Sequence, residues 1–258
     1  MADTQLCFEL LRKGDADGLR RLLEEDPGVA EARDASGASL LMHALYRGRR
    51  DLAELIAARK QLDIFEAAAL GKLERLKACA ADSAAINSCS NDGFTALHFA
   101  CFFGQPDAAR LLIERGALVD AVASNPMKLM PLHSAASARN LEAARLLLEH
   151  GAPVNARQQW GWAPIHAAAH NGDRAMVELM LKHGADPKLP NDEGKTPATV
   201  AREKGHAEIG PAGRLKFEGF KVSAFQSLEA CSSLNSTLRT ILARLHVADT
   251  NGFPSRGF

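Results

Sequence analysis

Residues 110–120 read RLLIERGALVD, and close variants of this phrase return as RLLLEHGAPVN at 145–155 and ELMLKHGADPK at 178–188. The first two copies begin 35 residues apart and the next two 33. Each copy has leucines at helical spacing and reaches a glycine where the helix should end. A phrase that recurs with a period of about 20–50 residues predicts an array of stacked units, each packed on its neighbours.

A second phrase lies upstream of each copy and keeps the same register. It contains a histidine followed by small residues, and His98, His133 and His166 are again 35 and 33 residues apart, with Thr199 a further 33 residues on. Two linked phrases that repeat together indicate one supersecondary unit rather than chance similarity. The copies are TALHFAC (95–101), PLHSAA (131–136), APIHAAA (163–169) and the weaker TPATVA (196–201).

The local chemistry of the second phrase predicts a turn followed by a helix. Asp92-Gly93 and Glu193-Gly194 are turn pairs, because glycine adopts positive φ at little cost. Thr95 and Thr196 are expected to be helix N-caps whose hydroxyls accept from a free backbone N–H. Prolines 131, 164 and 197 suit the first helical position.

These phrases resemble the ankyrin repeat, which has a period near 33, a T-P-L-H-x-A-like phrase, a turn and two antiparallel helices. The match is strong over 90–209 and weaker before it. The resemblance implies an all-α ankyrin-repeat solenoid of stacked helix–turn–helix units with short β-turn fingers. We predict one repeat domain over 1–209 with about seven units: an N-terminal cap at 4–33, then 34–62, a degenerate 63–88, 89–121, 122–155, 156–188 and a truncated 189–209.

The tail, 210–258, differs in composition from the repeats, being rich in serine and phenylalanine. Residues 223–247 place Phe225, Leu228, Leu234 and other apolar side chains on one face of a predicted amphipathic helix. This helix could cover the last repeat, mediate self-association or bind a partner, or the tail could be poorly ordered.

Charge and composition limit the partner classes. The chain has 31 basic and 31 acidic residues, so we expect neither nucleic acid nor membrane as a partner. Its five cysteines are scattered and odd in number, which favours free thiols and a reducing compartment. The first residues lack a basic segment followed by an apolar run, so we expect no signal peptide and a cytoplasmic location.

No catalytic or metal motif stands out. His166 and His170 have a metal-compatible spacing, but His166 occupies the repeated histidine position, where bracing of adjacent turns is the better interpretation. Cys79, Cys89 and Cys101 could form a thiol cluster, although small buried side chains explain them better. We find no nucleophile elbow or phosphate loop, and therefore expect no enzyme activity, no metal site and no cofactor.

The stretch DGFTALHFACFFG (92–104) raises the question of binding, because Phe99, Phe102 and Phe103 fall at positions that vary between units and Phe94 lies at the turn. These side chains could face a partner, or Phe102 or Phe103 could instead pack under the less regular neighbouring units. The resemblance implies that turn tips and first helices form a concave groove for partners, and an apolar patch there marks an interaction site. We predict non-catalytic binding of a protein partner, or alternatively a structural or oligomerisation subunit that uses 223–247. The candidate contact residues are Phe94, Phe99, Phe102, Phe103, Lys128, Met130, Ser134, Ser137, Gln158, Trp160, Trp162, His170 and Asn171.

Overall fold

The computed structural model of the protein describes residues 2–206 and 209, with side chains from residue 5 onward. The chain divides into two compact units, 1–215 and 216–258, and the second unit is not described. The predicted helix at 223–247 and the rest of the tail, 210–258, therefore lie outside the described residues.

Short helices in pairs make up the described part of the chain. Six pairs follow one another, with a one-turn helix α7 after the third pair and a single helix α14 at the end; the division into seven units stays a prediction. The helices are α1 Ala2–Lys13, α2 Ala16–Glu25, α3 Leu40–Tyr46, α4 Arg50–Ala57, α5 Ile64–Leu70, α6 Leu73–Cys79, α7 Ser83–Ile86, α8 Ala96–Phe102, α9 Pro106–Glu114, α10 Pro131–Ser137, α11 Leu141–Glu149, α12 Pro164–His170, α13 Arg174–Lys182 and α14 Pro197–Glu203.

The helices form two layers. The first helices of successive pairs pack on one another in chain order, from α1 and α3 through α8, α10 and α12 to α14, and the second helices form the other layer. Alanines at the contacts, among them Ala100, Ala135 and Ala168, are fully buried and let the backbones approach closely. The all-α solenoid predicted from the sequence is thereby confirmed for the described residues, none of whose helices is long and apolar enough to cross a membrane.

Hairpin fingers join one pair to the next, and each finger takes the number of the helix pair that follows it, so that 34–38 is the second finger, 90–94 the fourth and 158–162 the sixth. In each finger the first residue donates its N–H to the carbonyl of the last, at 2.7–3.0 Å. The fifth finger contains seven residues, 123–129, whereas the others contain five, in agreement with the longer tip that two extra residues predict. The five-residue fingers span 34–38, 90–94, 158–162 and 191–195.

The third pair has no finger. Only residues 58–63 join α4 to α5, whereas 150–163 join α11 to α12. The second and fourth fingers consequently meet: a Cβ added to Gly37 would lie 1.8 Å from Nδ2 of Asn91. The missing finger thus brings together side chains from pairs that are not adjacent in sequence.

Buried histidines hold the last three fingers to the preceding first helices. The N–H of Thr95, Met130 and Ala163 donates to Nδ1 of His98, His133 and His166 at 3.3, 3.2 and 3.1 Å respectively. Since Nδ1 accepts, the proton is on Nε2, which donates to a carbonyl of the next finger region: Leu129 at 3.0 Å, Ala156 at 3.1 Å and Lys195 at 3.2 Å. The bracing role predicted for these histidines is confirmed.

The two predicted threonine caps differ. Thr196 Oγ1 accepts from the N–H of Thr199 at 3.3 Å, as expected for an N-cap. The Thr95 hydroxyl instead lies 2.8 Å from His98 Nδ1 and donates to it, because that nitrogen accepts the Thr95 N–H and carries no proton. For Thr95 the prediction is correct in position and wrong in hydrogen-bond partner.

Burial also sets the charge of these histidines. Desolvation lowers the pKa of His98 and of His133 to about 4, and lowers the pKa of His166 in the same direction. The hydrogen bonds from Nε2 to carbonyls oppose this shift without cancelling it. All three rings are therefore neutral near pH 7.

One connection contains an unusual left-handed residue. Between the helices of most pairs a glycine has positive φ, such as Gly104 at 72° and Gly172 at 67°. Arg139 occupies this place between α10 and α11 with a φ of 58°. Its Nε lies 3.8 Å from Asp173 Oδ2, and the arginine side chain is largely exposed, so this ion pair offsets little of the backbone strain.

The histidine pKa values predict acid sensitivity. A ring with a pKa near 4 in the folded state and about 6.5 in the unfolded state favours folding above pH 6.5, and this stability is lost as pH falls toward 4. For His98 and His133 the loss is about 3 kcal/mol each. Denaturant unfolding from pH 7.5 to 4 should show a clearly shallower dependence for His133→Gln, while exposed His183→Gln should follow the wild type. Equal pH dependence for all three proteins would contradict the assignment.

Substitution of Arg139 tests the backbone strain. Arg139→Gly should raise the free energy of unfolding by about 0.5–1 kcal/mol, because glycine adopts positive φ without a Cβ clash. As a matched control, Arg145→Gly in the middle of α11 should lower it by about 1 kcal/mol. Thermal and denaturant unfolding measure both changes, and a destabilised Arg139→Gly would refute the interpretation.

Candidate partner-binding groove

Two adjoining cavities open between the fingers and the first-helix layer. Their volumes are about 330 Å³ and about 480 Å³, and they share Ser137 and Gln158 in their walls. We call them together the aromatic groove. Its lining residues are Tyr46, Phe94, His98, Phe99, Phe102, Met127, Leu129, Ser134, Ser137, Gln158, Trp160, Trp162, Ala167, His170, Asn171 and Glu193.

A cluster of phenylalanines forms the first cavity. Phe99, only 3% exposed, is at its centre, with ring centroids 5.8 Å from Phe94, 6.0 Å from Phe65 and 6.3 Å from Phe103. Phe102 stands at the edge, 44% exposed and perpendicular to Phe103 at 5.1 Å. The cluster fixes its rings by edge and stacked contacts, and this packing leaves Phe102 available at the surface.

Tyr46 enters this cluster from the second pair of helices. Its hydroxyl donates to Asp92 Oδ2 at 2.6 Å, and its ring centroid is 5.6 Å from that of Phe103. Burial and the neighbouring Asp92 carboxylate both raise the pKa of Tyr46. Tyr46 can reach Asp92 because no finger of the third pair lies between the second and fourth fingers.

Two tryptophans form the wall of the second cavity. The Trp162 ring lies between two imidazoles, 5.8 Å from His166 and 5.9 Å from His170. Trp160 projects from the sixth finger, 63% exposed, and has a φ of 63°. Left-handed backbone in a tryptophan costs about 1–2 kcal/mol, and here a hydrogen bond from Asp192 N to Trp160 O, at 3.0 Å, helps to retain it.

Gln158 lies where the two cavities meet. Its Oε1 is buried and has no hydrogen-bond partner among the described residues. A buried acceptor without a donor costs about 1–3 kcal/mol, so the side chain is in an unfavourable state in the free chain. Glu193, the charged residue of the lining, already pairs with Lys195 at 3.1 Å. Apolar and uncharged polar side chains therefore make up the lining apart from Glu193, and one unpaired carboxamide lies near its middle.

The structure brings ten of the thirteen predicted contact residues into this groove. It also shows that several of them are buried or have a structural role. Phe99 and Ser134, at 3% and 4% exposure, form the floor and offer little surface to a partner, because neighbouring rings and helices cover them. Asn171 is a structural tie: its Nδ2 donates to Ser137 O at 3.1 Å and to Ala136 O at 3.3 Å. Outside the lining are Phe103 and Met130, both half-buried, and Lys128, which is exposed.

Several lining residues were missed in the sequence. Met127 comes from the longer fifth finger, whose two extra residues were the available signal. Tyr46 comes from the second pair, and only the missing third finger could have pointed to it. His98 was identified as a brace, but its ring also contacts Phe94, with centroids 5.6 Å apart, and so forms part of the wall.

Three alternatives to the groove are a metal site, a thiol site at Cys101 and a separate opening between two second helices. Among the described residues no group of three His, Cys, Asp or Glu side chains could hold a metal ion. Cys101 is fully buried, and burial raises the pKa of its thiol. An opening of about 830 Å³ between α4 and α6 is lined by charged side chains, but Lys72 and Glu54 there already pair at 2.6 Å.

The different burial of two phenylalanines gives a direct test of the groove geometry. Phe99→Ala should lower the free energy of unfolding by about 3–4 kcal/mol, because it leaves a cavity at the centre of the cluster. Phe102→Ala, at the exposed edge, should cost less than about 1 kcal/mol. Denaturant unfolding compares the two, and similar losses would show that Phe102 belongs to the core.

Comparison with known families agrees with the helix pairs, fingers and braced histidines. The family model described as ankyrin repeats (3 copies) matches residues 64–158 and 150–210. Together these ranges run from residue 64 to residue 210, which is more than half of the 258 residues, and they include most of the aromatic groove. The chain therefore belongs to the ankyrin repeat family.

Proposed function

We propose that the chain binds another protein through the aromatic groove and does so without catalysis. Ankyrin repeats are generally protein–protein interaction modules, and the proposal places that activity on specific side chains of this chain. The observation that carries it is the continuous run of exposed or half-exposed apolar side chains from Tyr46 through Phe102 and Met127 to Trp160. Large apolar side chains gathered in one groove mark an interaction surface, whereas single exposed ones such as Leu118 do not.

The packing beneath the groove favours tight binding. Phe99 fixes the neighbouring rings, and the histidine braces and finger hydrogen bonds fix the backbone that holds them. A surface that is already ordered loses little entropy when a partner binds. Exposed Tyr46 and Trp160 are residue types that contribute strongly to protein interfaces.

The strained conformation of Trp160 supports the same conclusion. A glycine at this place would relieve the positive φ, yet the chain has a large aromatic residue that is mostly exposed. Strained residues that contribute no packing are concentrated at functional sites. The strain is thus explained if Trp160 contacts a partner.

The cellular location and the question of self-association belong to the proposal as well. We propose a reducing, cytoplasmic setting, because Cys89 is exposed and the four described cysteines are free thiols. Self-association through 223–247 would use residues that the structure does not describe, and the groove gives it no support.

A variant that keeps the fold and removes the groove contacts tests the proposal. Phe102→Ala combined with Trp160→Gly should keep the helical signal and the unfolding midpoint close to wild type, because one residue is exposed and the other is strained. Affinity capture with quantitative mass spectrometry should show partners that the wild type retains and the double variant loses by tenfold or more. Leu118→Ala, at a 55% exposed apolar residue outside the groove, is the matched control and should retain them. Equal capture by the double variant would refute the groove as the binding site.

A further inference from the structure

We infer that the occupant of the aromatic groove is an extended, uncharged segment of polypeptide in which the N–H and C=O of one residue pair with the carboxamide of Gln158. This inference rests on the proposed function and adds the chemical class of the partner. It follows from the position of Gln158, the uncharged lining of the cavity beside Phe102, and the backbone geometry of an extended chain.

The Gln158 carboxamide is positioned for a ligand and used by nothing else in the described residues. It lines both cavities, at the place where the phenylalanine part of the groove meets the tryptophan part. Its Oε1 is buried without a donor, and its Nε2 makes no hydrogen bond within the described part of the chain. The terminal torsion of a glutamine is broad, so a carboxamide that no internal bond holds can turn toward a partner.

A carboxamide carries one acceptor and one donor group side by side, and in an extended chain the N–H and C=O of one residue also lie side by side. It can therefore pair with the N–H and the C=O of a main chain at the same time. A helical partner would satisfy its own N–H and C=O groups and leave Gln158 unpaired. Main-chain pairing consequently favours an extended segment.

The surrounding surface limits which side chains the bound segment can have. Among the described residues no charged side chain lines the cavity beside Phe102, so a charged side chain entering it would lose its water without gaining an opposite charge. Glu193 lines only the other cavity, where it shares Lys195 with Glu203. Alternate side chains of an extended chain point to the same face. Two apolar side chains separated by one residue would then enter the pocket beside Phe102 and the pocket beside Trp160, and the residue between them would present its N–H and C=O to Gln158.

Peptide selection on the full-length protein, followed by ester scanning of the selected peptide, tests this inference. A displayed library of random twelve-residue peptides would be selected on the wild type and counter-selected on the Phe102→Ala, Trp160→Gly variant. We expect a consensus with two apolar residues separated by one and no charged residue between them. The best peptide would then be synthesised with single ester bonds, each of which replaces one N–H by oxygen.

Fluorescence anisotropy gives the affinities. One ester position should weaken binding to the wild type roughly tenfold and weaken binding to Gln158→Met less than twofold, because that variant has already lost the partner of the N–H. Gln159→Met, the adjacent residue in the same finger and outside the lining, is the matched control and should keep the tenfold loss.

The outcomes separate the two proposals. Peptides that bind the groove but tolerate every ester equally on the wild type and on Gln158→Met would overturn this inference and leave the proposed function intact. A charged or helical consensus, or no enrichment over the counter-selected variant, would also overturn it. Failure of the proposed function is decided separately, by equal capture of protein partners on the groove variant.

Discussion

His98, His133 and His166 each lie between two backbone segments that would otherwise have unpaired polar groups. The free N–H at the start of a first helix donates to Nδ1, and Nε2 donates to a carbonyl in the next finger region. One neutral ring thus satisfies a helix terminus and joins two units. Because Nδ1 must accept, this pair of hydrogen bonds forms only with the neutral ring. Burial lowers the pKa of each ring and so keeps it neutral, and the stack depends on these bonds wherever the histidine phrase occurs.

The repeated phrases made the fold predictable because they encode local geometry. Leucine spacing, the glycine stops and the histidine register each specify contacts between adjacent units, and those contacts recur at one period. The correct expectation of a longer fifth finger has the same origin, since two residues inserted between fixed elements must lengthen the loop. Thr95 shows the limit: its hydroxyl has two acceptable partners, and only the imidazole beside it decides which one is used.

The sequence predicted where the candidate site lies, but it did not predict the burial and contacts of several of its residues. The sequence pointed to the phenylalanines after Asp92, but the burial of Phe99 depends on Phe65, which belongs to the pair that lacks the turn and the histidine phrase. A periodic pattern carries no information about a contact that breaks the period. The same holds for Tyr46, whose bond to Asp92 links the second and fourth units, and for Gln158, whose unpaired oxygen is a property of its surroundings and not of its residue type.

The missing third finger connects the fold to the site. In a regular array each finger packs against the next, as the bonds from Ser124 to Gly93 and from Asp192 to Trp160 show. Without a third finger the second reaches the fourth, and Tyr46 extends the phenylalanine cluster by one more ring. The rigid stack on the other side supports Trp160 in a conformation that a tryptophan would not adopt alone. Tyr46, which the missing finger leaves free to reach Asp92, and Trp160, in its strained finger, thus lie in the two cavities of the groove, with braced units between them.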